Sequence, residues 1–208
     1  MAPFTIEYVL VLIGAFLLSL FLTPIVRFIA FRVGAVDNPN ARRVNEVPMP
    51  SSGGLAIFIS FLISALILMP RVLKEPIWTT SYFDYILPVV IGGLIITATG
   101  FMDDIYELKP KTKMAGIILG AVVVWAFTDF RFDSFKIPFG GPLLEFNSVI
   151  TFFLTVFWII SITNAMNLID GLDGLVSGVS IISLVTMALV SYFFLPQTDF
   201  YLTLTILL

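Results

Sequence analysis

The segment Asn164-Ala165-Met166-Asn167-Leu168-Ile169-Asp170-Gly171-Leu172-Asp173-Gly174-Leu175 carries an amide or a carboxylate at every third position from Asn164 to Asp173. Residues three apart share a face on a helical turn, so these four oxygen-bearing side chains are expected to line one side of the segment. Hard oxygen donors suit Mg2+, which keeps several waters and takes substrate phosphates as further ligands. The plainer alternative is a polar loop with helix caps. Gly171 and Gly174 permit close backbone approach or a positive φ. A second group, Asp103-Asp104, sets two carboxylates side by side. Such a pair repels itself and resists desolvation, so it persists most easily beside a metal, a lysine or a substrate proton. Lys109, Lys111 and Lys113 follow it. They can orient a membrane helix, bind lipid headgroups or hold a phosphorylated substrate. A third group runs from Asp37-Asn38-Pro39-Asn40 through Arg42-Arg43 to Pro48-Met49-Pro50-Ser51-Ser52-Gly53-Gly54. Its arginines can act as topology signals or meet phosphate. The 208 residues include no histidine and no cysteine. Disulfides, thiolate metal sites and His-based triads are thereby excluded within them. Acid–base chemistry falls to carboxylates, lysines, tyrosines or water.

The elements that must position these groups are membrane helices. The chain is 59% hydrophobic and 12% charged, whereas a soluble domain is about 45–50% apolar and about 25% charged. A helix crosses the hydrocarbon with about 20 mostly apolar residues. The apolar runs give spans near 8–31, 53–69, 85–102, 113–128, 148–163 and 174–195. A seventh begins near Phe200 and is cut at Leu208, so a truncated chain is expected. The fold class is an all-α polytopic transmembrane bundle, a single domain over residues 1–208. A cleaved signal peptide is not expected, because no lysine or arginine precedes the first apolar run. Pro24, Pro88, Gly92 and Gly93 fall inside spans, where packing is their ordinary role. Between 129 and 147 the partial alternation of Phe130, Phe132, Phe135 and Ile137, with a turn at Phe139-Gly140-Gly141-Pro142, predicts a small exterior hairpin near 130–142.

If each span crosses once, connections 32–52, 103–112 and 164–173 share one face. That face holds Arg27, Arg32, Arg42, Arg43, Lys109, Lys111 and Lys113, and the other holds Arg71, Lys74, Arg131 and Lys136. The richer face is expected to be cytoplasmic, with the N-terminus outside. The net charge of −3 gives no general attraction to nucleic acid.

In this order, the groups resemble the polyprenyl-phosphate N-acetylhexosamine-1-phosphate transferase superfamily. Its pattern is a Pro-rich loop ending in Gly-Gly, an Asp-Asp pair with a following lysine, and Asn-x-x-Asn-x-x-Asp-Gly-x-Asp-Gly-Leu. Here these are Pro48 to Gly54, Asp103-Asp104 with Lys113, and Asn164 to Leu175. The short first loop and its Pro-Met-Pro-Ser-Ser-Gly-Gly run are most similar to the bacterial branch using undecaprenyl phosphate and UDP-N-acetylglucosamine. The peptidoglycan branch, which uses UDP-N-acetylmuramoyl-pentapeptide, commonly has a Gly-Thr-Pro-Thr-Met-Gly-Gly type run there. The branch often has a histidine where this chain has Asn45. The family also has a later aspartate before Gly-Ser-Leu and a His-rich loop, both expected after Leu208.

The resemblance implies transfer of a sugar phosphate from a UDP-sugar to polyprenyl phosphate with release of UMP, at the cytoplasmic edge of the bacterial inner membrane. It implies Mg2+, with Mn2+ as a substitute, held by Asn167 and Asp170 together with the later aspartate. It implies that Asp103 or Asp104 deprotonates or orients the acceptor phosphate and that Lys113 holds phosphate. Asn164, Asp170, Asp173, Arg42 and Arg43 fall to substrate binding, and the reading leaves room for a homodimer. Two other classes compete. The CDP-alcohol phosphotransferases need an arginine after Asp-Gly, which is missing after Asp170-Gly171. A secondary transporter would place its ionisable residues near the midplane within inverted repeats, and here the acids gather at span ends with no repeat.

Overall fold

A computed structural model of the chain describes residues 6–37, 39, 47–72, 80–137, 140–172 and 174–194. Helix α1 (Ile6–Val33) contains Pro24 and stops at Gly34, whose positive φ of 81° lets Ala35 N–H reach back to Ala30 O at 3.0 Å. Strand β1 (Val36–Asp37) pairs antiparallel with β2 (Met49–Pro50). Helix α2 (Gly53–Ile63) then continues through a wider π turn (Ser64–Leu68) into α3 (Met69–Val72). Helix α4 (Thr80–Tyr106) is followed at once by α5 (Pro110–Phe127). Strands β3 (Ser134–Lys136) and β4 (Leu143–Glu145) form a hairpin before α6 (Ser148–Ile169), and α7 (Leu175–Phe194) comes last.

Among the described residues four helices are long and apolar enough to cross a membrane: Val9–Val33, Ile86–Tyr106, Pro110–Phe127 and Ser148–Ile169. Of the six complete spans expected, the other two coincide with shorter apolar helices, Gly53–Leu68 and Leu175–Val190. The seventh, from Phe200, lies outside the described residues. The chain is a multi-pass helical membrane protein, and its wide exposure of apolar side chains agrees with this. Phe16 and Phe21 on α1 are 64% and 69% exposed, a surface that suits lipid rather than water. A small packed core joins Ala65, Ile86 and Val90 with Phe61, Leu62 and Leu66.

Two differences from the sequence reading concern boundaries. The helices run on past the apolar stretches, so Asp103, Asp104, Asn164 and Asn167 sit on helical turns rather than in connections. Hydropathy marks where the hydrocarbon ends, but a polar residue is no obstacle to another helical turn. The hairpin exists, but its strands flank residues 137–142. The chain before it is held against α6 instead: Phe132 N–H donates to Thr155 Oγ1 at 3.1 Å, and Thr151 Oγ1 donates to Phe132 O at 3.2 Å. Both threonines are buried.

The α4–α5 hairpin is the part that matters most for the site. A Cβ placed on Gly120 would stand 2.8 Å from Gly92 O and 2.6 Å from Ile96 Cγ1. One placed on Gly92 would stand 2.9 Å from Gly120 O. Here backbone meets backbone, as small residues allow between membrane helices. Gly116 one turn earlier packs on Thr99 in the same way. Gly120→Leu is therefore expected to wedge α4 from α5 and to cost about 1–3 kcal/mol or more, because one wall is a carbonyl that cannot move aside. Thermal unfolding of the purified protein in detergent measures this. Gly100→Ala, where a Cβ meets nothing within 4 Å, is the control and should be neutral or slightly stabilising.

Candidate active site

The end of the bundle that carries β1–β2 gathers polar groups from four segments. Asp103 and Asp104 lie on the last turns of α4. The chain then turns through Glu107, which adopts a left-handed φ of 47°. That conformation costs a non-glycine residue on the order of 1–3 kcal/mol. Asp103 fastens the turn: its backbone O accepts Glu107 N–H at 2.9 Å and its Oδ1 accepts Leu108 N–H at 3.1 Å. Pro110 then starts α5 at a position where a missing N–H does no harm. The tight turn brings Lys113, on the first turn of α5, back beside α4.

Lys113 is the centre of the cluster. Its Nζ donates to Asp103 Oδ2 at 2.7 Å and to Asn167 Oδ1 at 3.2 Å. Asn167 belongs to α6, so one ammonium joins three helices. The ion pair is partly shielded, with side chains 26% and 23% exposed, a setting in which a charge-assisted hydrogen bond is stronger than at a fully wet surface. The two aspartates are not equivalent. Asp103 is bound by an ammonium and a backbone amide. Asp104 Oδ2 accepts a hydrogen bond from Ser52 Oγ at 3.3 Å, and among the described residues Asp104 has no ion pair of its own. Burial disfavours the charge of Asp104 and the neighbouring Asp103 charge opposes it further, while the Lys113 charge also acts on Asp104 but is outweighed.

The other expected residues divide. Asn164 is half-buried, and its Nδ2 donates to Ile160 O of its own helix at 2.9 Å. The three-residue spacing is carried on the helix by Asn164 and Asn167 alone, because α6 ends at Ile169 and Asp170, at φ −78° and ψ 59°, leaves the helical path. Asp170 is exposed at this end. Arg42, Arg43, Asn45 and Asp173 lie outside the described residues. The structure thus joins Asp103, Lys113 and Asn167 directly, and Asp104 through its neighbour. It adds Ser52, which the sequence offered only as part of a Pro- and Gly-rich run. Nothing local pointed to a partner on α4.

The donors here are all hard oxygens: Asn167 Oδ1, the carboxylates and the hydroxyls. Among the described residues no three carboxylates gather to hold a metal by themselves. A cation with few protein ligands, completed by water and substrate phosphate, fits such a set.

Comparison with known proteins follows the same stretch. A "Probable undecaprenyl-phosphate N-acetylglucosaminyl 1-phosphate transferase" of Bacillus subtilis is 40% identical over 166 residues, 80% of this chain and 43% of that protein. A "Decaprenyl-phosphate N-acetylglucosaminephosphotransferase" of Mycolicibacterium smegmatis is 34% identical over 169 residues, 79% of this chain and 40% of that protein. A "Phospho-N-acetylmuramoyl-pentapeptide-transferase" of Vesicomyosocius okutanii is 25% identical over 171 residues, 76% of this chain and 44% of that protein. The chain spans less than half the length of these relatives. No solved structure matches it significantly. One family description takes in the acidic pair, the lysine turn and the Asn-rich segment together, over residues 86–208, and the chain belongs to glycosyl transferase family 4.

Proposed function

We propose that the protein of which this chain is part transfers N-acetylglucosamine 1-phosphate from UDP-N-acetylglucosamine to undecaprenyl or another polyprenyl phosphate. An oxygen of the lipid phosphate forms a new bond to the sugar-bearing phosphorus of the donor. The P–O–P bond to that phosphorus breaks, and UMP leaves with the bridging oxygen and its electrons. The observation that carries this reading is the Lys113 ammonium bridging Asp103 and Asn167, with an adjacent carboxylate, Asp104, that makes no ion pair among the described residues. Such a centre can hold a phosphate while a second anion is oriented beside it. Its position at helix ends suits an acceptor whose tail stays in lipid and whose phosphate stops at the interface.

Each residue then has one task. Lys113 holds donor phosphate and meets the charge that builds on the leaving oxygen. Asp103 aims Lys113. Asp104 orients or deprotonates the acceptor phosphate. Asn164, Asp170, Asp173, Arg42 and Arg43 bind the donor. Mg2+, or Mn2+ in its place, would be held by Asn167 and Asp170, and when bound it supplies charge neutralisation of the pyrophosphate. The surplus of lysine and arginine at this end supports a cytoplasmic site in a bacterial inner membrane with the N-terminus outside.

The test is UMP release by the intact protein with polyprenyl phosphate and Mg2+. UDP-N-acetylglucosamine is expected to support it and UDP-N-acetylmuramoyl-pentapeptide is not. Release from the pentapeptide donor alone would move the protein to the peptidoglycan reaction. No UMP from either donor, together with solute flux in sealed vesicles, would replace the enzyme reading by a transporter.

A further inference from the structure

A serine immediately before a helix ordinarily caps it, its hydroxyl accepting one of the unpaired first-turn N–H groups. Asn147 does this for α6, accepting Ile150 N–H on Oδ1 at 3.0 Å. Ser52 holds the same position before α2 but behaves differently. It sits at φ −86° and ψ 26°, outside the extended conformation of a usual cap, and makes no side-chain cap hydrogen bond. Its hydroxyl reaches a carboxylate on another helix instead, Asp104 Oδ2. Ser52 is 4% exposed, so water does not stand in for either partner. Ser52 leaves the local acceptor role unfilled while its hydroxyl hydrogen serves a carboxylate on another helix, and breaks of a local rule gather at functional sites.

The segment that carries Ser52 is held firmly. Ser51, one residue earlier, donates to Ala35 O from both its N–H at 3.2 Å and its hydroxyl at 3.1 Å. Ala35 is fully buried and is tied back to α1 through Ala30. Val36 and Asp37 pair with Pro50 and Met49. The ladder of the first loop therefore fixes Ser52, and Ser52 addresses Asp104, the aspartate that makes no ion pair among the described residues.

We propose that Ser52 is a positioning residue for Asp104, holding its carboxylate in the orientation that meets the acceptor phosphate. This rests on the transferase reading above. The contact is long for an O–H···O hydrogen bond, whose usual length is about 2.7–2.8 Å, so its contribution is aim rather than binding strength. The expected effect is correspondingly moderate.

In the intact protein, Ser52→Ala is expected to lower kcat about tenfold, with donor KM and thermal midpoint unchanged, since no cap is lost. Ser52→Thr should retain most of the turnover because it keeps the hydroxyl. Adding Ser52→Ala to Asp104→Asn should cost nothing more. If Ser52→Ala fails to accumulate, Ser52→Thr against Ser52→Val decides, as those two side chains differ in little but the hydroxyl. Equal turnover of that pair overturns the inference, as does Ser52→Ala within twofold of the parent while Asp104→Asn is inactive. Both results leave the transferase reading intact. Activity lost only in proportion to a lowered thermal midpoint overturns it too, assigning Ser52 to structure. An Asp104→Asn variant of normal turnover overturns this inference alone, whereas a parent that releases no UMP would bring down the transferase reading and this inference with it.

Discussion

Asp104→Asn lowers turnover by about three orders of magnitude while leaving donor KM within about threefold; this is the largest effect expected of any single change at the site. Asparagine keeps the shape of aspartate and can still accept the Ser52 hydrogen bond, so the variant removes charge and basicity without removing a contact. A positioned acid or base contributes about 10²–10⁴-fold to rate, and Asp104 is the carboxylate of the pair that makes no ion pair among the described residues. The donor is held by Lys113 and the Asn-rich segment, which is why its KM should stay. Steady-state kinetics on the intact protein with both substrates varied gives the answer. Turnover within tenfold of the parent would remove Asp104 from the chemistry.

Lys113→Met should present the opposite split. Methionine retains most of the stem and loses the charge, so donor KM is expected to rise about tenfold or more. A charged hydrogen bond contributes about 1.5–3 kcal/mol, and Lys113 makes one to Asp103 and another to Asn167. Its removal also leaves two adjacent carboxylates without a counter-charge, so kcat/KM should fall by about 10²–10³-fold and the thermal midpoint should drop. The double variant Asp103→Asn with Lys113→Met restores the balance of charge. It should recover much of the lost stability and little of the lost activity, separating the structural part of the effect from the catalytic part. An unchanged donor KM in Lys113→Met would assign the lysine to structure alone.

Much of this arrangement was legible because membrane helices follow simple rules. Apolar length located the helices, and parity put Asp103, Lys113 and Asn167 on one face before any contact was known. Hydropathy could not see contacts made by small or neutral groups. Gly92 read as one of several packing glycines, and nothing in the chain paired it with Gly120. Thr151 and Thr155 sit in an apolar run where a threonine gives no sign of its partner. Ser52 read only as part of a Pro- and Gly-rich run, because its partner on α4 is 52 residues away in the chain. Asp170 was expected to extend the helical face of Asn164 and Asn167, but a spacing of three says nothing about where a helix stops, and α6 stops one residue short of it.

The peptide of Phe132 has a consequence for alignment. Two threonines one turn apart on α6 grip both its N–H and its C=O, and Thr128 ties the end of α5 to the same stretch by accepting Phe130 N–H. At the opposite ends of these two helices, Lys113 meets Asn167 at 3.2 Å. A helix advances about 1.5 Å per residue, so α6 need slide by only one residue against α5 for that contact to pass out of hydrogen-bonding range. The threonine grip therefore sets the axial phase of α6 against α5, and a methyl in place of either hydroxyl would loosen the lysine–asparagine contact at the far end of the same pair of helices.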